Sequence, residues 1–225
     1  MSGTLVSFQA NGRTCDGYLS IPVSGGGPAV IVLQEWWGLV DHIKDVADRF
    51  ANSGFTALAP DLYHGESTTQ PDDAGRLMMA LNIGETEKDL AGAVKFLVDH
   101  NSVSSDKVGT IGFCMGGQLS LFAACANPQI GACIDFYGIH PNIQPDFKNL
   151  AAPVLGIFAE NDEFVTPGNV DELKVLLESQ GHEPDFHIYP GVNHAFFNDS
   201  RPDVYDVQTA TDAWEKVTTF FGENL

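Results

Sequence analysis

Positive charge is scarce in this chain. Eleven Lys and Arg face 30 Asp and Glu, a formal net charge of −19 at pH 7, and a surface of that sign repels phosphate backbones and anionic headgroups. That argues against nucleic acid and membrane as partners. Only four arginines occur, Arg13, Arg49, Arg76 and Arg201, so an anionic small molecule would find few cations to meet it. No apolar run approaches the ~18 residues of a membrane span, and no basic stretch precedes an apolar one at the amino terminus. The chain reads as soluble and cytoplasmic. Its four cysteines, Cys15, Cys114, Cys125 and Cys133, form no C-x-x-C pair, and no H-x-x-x-H or H-E-x-x-H spacing exists. A zinc ribbon, a thioredoxin-type site and a helix-borne metal site all lack their signal, so no metal or cofactor is expected.

What is present is a globular composition, 44% hydrophobic and 18% charged, without repeats or low-complexity tracts, and residues 1–225 are read as one domain. Short β-branched runs recur at Ala29 to Leu33, Phe55 to Ala59, Val108 to Phe113, Ile130 to Tyr137, Val154 to Phe158 and Asp185 to Tyr189. Continuous apolar runs of this kind are strands covered on both faces. Between them, 3.6-residue periodicity marks helices near Ile43 to Asn52, Glu85 to His100, Met115 to Ala126, Pro167 to Gln180 and Tyr205 to Phe221. Thr166 before Pro167, and Gly181 after Gln180, punctuate the fourth. Strand–helix alternation predicts a compact, doubly wound α/β fold with a mostly parallel central sheet. Asn11-Gly12 predicts a hairpin over about residues 4–20 at the sheet edge. Tyr63 to Asn82 reads as one long irregular region bordering the site.

Gly112-Phe-Cys114-Met-Gly116 places a cysteine at a strand-to-helix turn. This is the nucleophile-elbow pattern with Cys in place of Ser, where flanking glycines relieve crowding and the following helix N-terminus favours thiolate. The same pentapeptide could simply pack tightly around a small buried thiol. A phosphate loop would require G-x-G-x-x-G or a Gly-Lys pair, and neither occurs. A cysteine nucleophile needs a base and an acid to orient it. Asp162 lies in the loop after Val154 to Phe158, and His194 in the loop after Asp185 to Tyr189. Nucleophile, acid, histidine is the α/β-hydrolase chain order, on loops where such folds bind ligands. His42, His100, His182 and His187 occupy ordinary helix, cap and strand positions, whereas His64 and His140 lie on loops that could line a pocket.

Gln34-Glu-Trp-Trp-Gly38, Pro60-Asp-Leu-Tyr63, Gly112-Phe-Cys-Met-Gly-Gly117 and Gly191-Val-Asn-His-Ala-Phe196 together resemble the dienelactone hydrolase family, over about residues 14–222. The resemblance implies a fold without a large lid domain and hydrolysis of esters or lactones, without cofactor, through a Cys114-His194-Asp162 triad. It also implies that Glu35, buried beside the thiol, assists its deprotonation, and that the backbone N–H groups of Trp36 and Met115 form the oxyanion hole. Family members that cleave dienelactone clamp the substrate carboxylate with two arginines. Here the first matching segment carries Arg76, slightly displaced, and Arg201 falls three residues beyond Phe197-Asn198. Trp37, Tyr63, Met78 and Phe196 are further candidates for an apolar pocket wall. The expected partner is a small-molecule ester or lactone, and the expected assembly a monomer or small homo-oligomer. Thioesters and phosphoesters, and a non-catalytic binding or thiol-sensing role on the same fold, remain alternatives.

Overall fold

A computed structural model describes residues 3–138 and 140–225 of the chain. The hairpin pairs β1 (Thr4–Ala10) with β2 (Arg13–Ser20) antiparallel. Asn11 and Gly12 both take positive φ, 51° and 71°, as a two-residue turn matching the strand twist requires. Six further strands follow: β3 (Gly27–Leu33), β4 (Thr56–Pro60), β5 (Val103–Phe113), β6 (Ile130–Phe136), β7 (Val154–Ala159) and β8 (Asp185–Tyr189). The eight form one sheet in the order β1-β2-β4-β3-β5-β6-β7-β8. β2 pairs antiparallel with β4, and every pairing from β4 to β8 is parallel.

Helices α1 (Asp41–Asn52), α2 (Pro71–Ala80), α3 (Ile83–Val98), α4 (Met115–Ala126), α5 (Pro167–Ser179) and α6 (Val207–Asn224) connect and close the strands. Alternate residues of β3 divide between two cores. Ile31 and Leu33 face Leu90, Val94 and Leu97 of α3 and Leu119 of α4, while Val30 and Val32 face Ile43 and Phe50 of α1 and Val217 and Phe221 of α6. The period-2 alternation of a strand thus feeds two apolar layers at once, which is why its sequence shows no polar face. Thr166 caps α5 through a reciprocal pair with Asn169, and Gly181 follows the helix at φ 87°.

The structure corrects one expectation. The stretch expected to be irregular, Tyr63 to Asn82, contains α2, which starts on Pro71 and carries Asp72 and Asp73 in its first turn. Ala74 is its buried residue, so it has almost no apolar stripe to reveal it. The last helix begins at Val207 rather than Tyr205, because the Asp206 carboxylate accepts from the Thr209 N–H at 2.8 Å and sets the N-terminus there. Among the described residues, no helix is long and apolar enough to cross a membrane.

Candidate active site

Every candidate catalytic side chain sits just beyond the carboxyl end of a parallel strand, the edge at which open α/β sheets bind ligands. β5 ends at Phe113, α4 begins at Met115, and Cys114 between them takes φ 54°, ψ −121°, a conformation that strains any residue with a Cβ. The Cys114 N–H donates to the Phe136 carbonyl at 3.0 Å, and the Gly117 N–H to the Cys114 carbonyl at 2.9 Å. A Cβ on Gly112 would lie 1.8 Å from the Gly116 carbonyl oxygen, and one on Gly116 would lie 2.6 Å from the carbonyl oxygens of Leu33 and Gln34. Strand and helix therefore meet only because both positions lack side chains. Met115 opens α4, where a backbone N–H has no acceptor within the helix and is available to an oxyanion.

Asp162 follows β7 with its carboxylate buried. Its Oδ1 accepts from the N–H groups of Phe164 and Val165 at 2.8 and 2.9 Å, and its Oδ2 lies 2.7 Å from Nδ1 of His194, in the loop after β8. The imidazole packs beside the Tyr137 ring, at 4.8 Å, and edge-on to Phe164, at 5.2 Å. Burial opposes a charge on His194, but the hydrogen bond to Asp162 and the nearby Cys114 sulfur outweigh it and push the imidazole up to about 10. A histidine held between a carboxylate and a thiol is equipped to keep the proton it takes from sulfur.

Glu35 follows β3, 2% exposed. Burial raises its carboxyl above the ordinary range, while His42, His194, a hydrogen bond from Asn198 and Arg201 pull the other way. The Asn198 Nδ2–H reaches Oε2 at 2.9 Å. Glu35, Trp36, Trp37, Met78, Cys114, Phe164, His194 and Arg201 line one mostly apolar cavity of about 370 Å³. Trp37 and Arg201 also border an adjoining groove of about 620 Å³.

Three expected pocket residues stand elsewhere. Arg76 projects outward, 67% exposed and paired with Asp73 at 2.7 Å. Phe196 is wholly buried among Phe136, Tyr137 and Tyr189. Tyr63 packs inside, its hydroxyl 3.3 Å from Sδ of Met115. Burial, with Cys114 next in weight, raises that phenol. Conversely, Phe164 and Asn198 belong to the site and escaped sequence reasoning. Phe164 lies two residues beyond Asp162 and is 61% exposed, and a large aromatic beside the candidate acid was the available signal; Asn198 stands out in the sequence only as occupying a place where an arginine is sought.

A cysteine on a strained strand-to-helix turn, with an acid and a histidine following β7 and β8 of a sheet in this order, defines an α/β-hydrolase. The comparisons narrow the class. The family model for the "Dienelactone hydrolase family" matches residues 15–225, and the chain belongs to that family of hydrolases. It is 40% identical over 230 residues to "Protein usf" of Aquifex pyrophilus, covering 99% of each chain. It is 37% identical to a "Putative carboxymethylenebutenolidase" of Aquifex aeolicus (strain VF5), covering 97% of each. The crystal structure of a "Putative Dienelactone Hydrolase" from Klebsiella pneumoniae superposes with a TM-score of 0.87 at 26% identity, covering 99% of both chains.

Proposed function

We propose that the protein hydrolyses carboxylic esters or lactones, dienelactones foremost, by way of an acyl-enzyme on Cys114. The observation that carries this reading is the wiring of His194: Nδ1 is held 2.7 Å from Asp162, and the imidazole lines the same cavity as Cys114. His194 holds the thiol proton while sulfur attacks the carbonyl, and the backbone N–H groups of Trp36 and Met115 receive the oxyanion. The proton then passes to the leaving oxygen. Water, activated by the same imidazole, releases the acid and returns the thiol. Glu35, whose carboxyl burial raises above the ordinary range, serves in its ionised form as a second acceptor for the thiol proton.

Arg201, at the cavity rim and 2.9 Å from Asp203, is the cation suited to a substrate carboxylate, and Trp37, Met78 and Phe164 suit its apolar body. All four cysteines are free, in keeping with a reducing, cytoplasmic setting. The test is kcat/KM for wild type and Cys114→Ala on dienelactone and on a neutral p-nitrophenyl ester, with mass spectrometry of the stalled enzyme. Fast dienelactone turnover, a transient mass gain on Cys114 and a dead variant are expected. Turnover of the neutral ester alone would replace the dienelactone assignment with a general esterase, and turnover of neither would overturn the catalytic reading.

A further inference from the structure

A second group of cysteine, histidine and carboxylate lies outside the catalytic cavity, where the hairpin meets α3. Sγ of Cys15 on β2, a ring nitrogen of His64 in the loop after β4 and a carboxylate oxygen of Asp89 on α3 all lie within 4.8 Å of one another. The wiring differs from that of the catalytic site. The Cys15 thiol donates to Asp89 Oδ1 at 3.3 Å, which, with burial as the larger cause, pushes the thiol up to about 11. A buried thiol held in its protonated form in this way is not an activated nucleophile.

Instead, the lone pairs converge on one point. Nη2 of Arg13 stands 2.8 Å from His64 Nε2, 3.0 Å from Asp89 Oδ2 and 3.5 Å from Glu85 Oε2. His64 Nε2 is itself 3.1 Å from Asp89 Oδ2, so a ring nitrogen and carboxylate oxygens are crowded around a single guanidinium. His64 is held there at a strained φ of 53° by Asp61, whose carboxylate accepts from the N–H groups of Tyr63 and Gly65 on either side. A cavity of about 180 Å³ lined by His64, Glu85 and Asp89 leads to the cluster.

We propose that Cys15, His64 and Asp89, with Glu85 at the rim, bind a borderline-soft divalent transition-metal ion of the Zn²⁺ class, and that the Arg13 guanidinium occupies the metal's place in its absence. Thiolate, imidazole and carboxylate form a zinc donor set, and bonds of about 2.0–2.3 Å at tetrahedral angles need donor atoms about 3.3–3.8 Å apart, a modest contraction. The exchange conserves local charge. With arginine in place, the guanidinium charge stands beside the Asp89 carboxyl group and the protonated Cys15 thiol. With metal bound, the second positive charge is matched by the new thiolate, the thiol proton having gone to solvent and the guanidinium, already 39% exposed, having swung outward.

The test is titration of the full chain carrying Cys114→Ser, which removes the catalytic thiol, with Co²⁺ and then Zn²⁺. One Co²⁺ per chain with a thiolate-to-metal charge-transfer band, bleached by Zn²⁺ and accompanied by release of one proton, is expected. Adding Cys15→Ser should abolish the band, and adding His64→Gln, an exposed position that leaves the core intact, should weaken binding by about tenfold or more. Adding Arg13→Met should tighten it. Absence of a band, a band that survives Cys15→Ser, or Co²⁺ bound without thiolate absorption at the acidic surface would each overturn the proposal. If Cys15→Ser fails to fold, unchanged affinity in His64→Gln overturns it alone.

Discussion

The two oxygens of Asp162 are divided between backbone and His194: Oδ1 takes the N–H groups of Phe164 and Val165, and Oδ2 takes Nδ1 of His194. All the acceptor capacity the site needs is thus used in fixed directions, and the imidazole is left with Nε2 for the thiol. Asp162→Asn puts an amide N–H where an acceptor is required. It should lower kcat/KM by about 10³- to 10⁴-fold, with a near-native circular dichroism spectrum. A loss below tenfold in steady-state kinetics would mean that His194 is oriented by something else.

Cys114 pays for its exposure in backbone strain. At φ 54° and ψ −121°, a Cβ costs ~1–3 kcal/mol, and Cys114→Ala retains that Cβ while Cys114→Gly removes it. Both variants should be inactive, and the glycine variant should be the more stable by about 1 kcal/mol in urea unfolding. Equal midpoints for the two would show that the turn is relaxed.

Stability should fall on the alkaline side because of His194. Its folded value, about 10, lies above the 6.5 of the unfolded chain. The proton is therefore held more tightly in the native state, and the stabilisation is complete below pH 6.5 and lost as pH rises through about 10. Thermal midpoints measured from pH 6 to 10.5 should decline more steeply for wild type than for His194→Gln, the difference isolating this group from lysines and tyrosines that titrate nearby. Parallel curves would remove the coupling.

The two candidate arginines should separate kinetically. Arg201 borders the cavity, whereas Arg76 is turned to solvent against Asp73. Arg201→Ala should raise KM for an anionic lactone about tenfold and leave a neutral ester unchanged; Arg76→Ala should alter neither. An effect of Arg76→Ala confined to the anionic substrate would place it in the working site after all.

The α/β alternation was legible because β3 to β7 are covered on both faces and so read as unbroken apolar runs, while α1 and α3 bury one stripe each. The elbow was legible for a steric reason, since Gly112 and Gly116 have no room for a Cβ. α2 was hidden because it buries little more than Ala74, leaving its periodicity too faint to see beside Gly75. Arg76 was misleading for a related reason: one step along a helix turns a side chain by about 100°, so a small displacement in the chain reverses the direction faced. Asn198 and the cluster of Arg13, Cys15, His64 and Asp89 carry no spacing signal at all. Their members meet only after the hairpin, the loop after β4 and α3 have packed, and tertiary convergence leaves no period to detect.

The order of strands also sets the order in which capability arrives during synthesis. The thiol at position 114 emerges about midway along the chain, but the acid and the histidine follow β7 and β8, and α6, which packs on β6 and β7, comes last. A nascent chain thus presents Cys114 before Asp162 and His194 have been made. On the proposed mechanism the Cys114, Asp162 and His194 arrangement is complete only once β8 and the loop after it have been added.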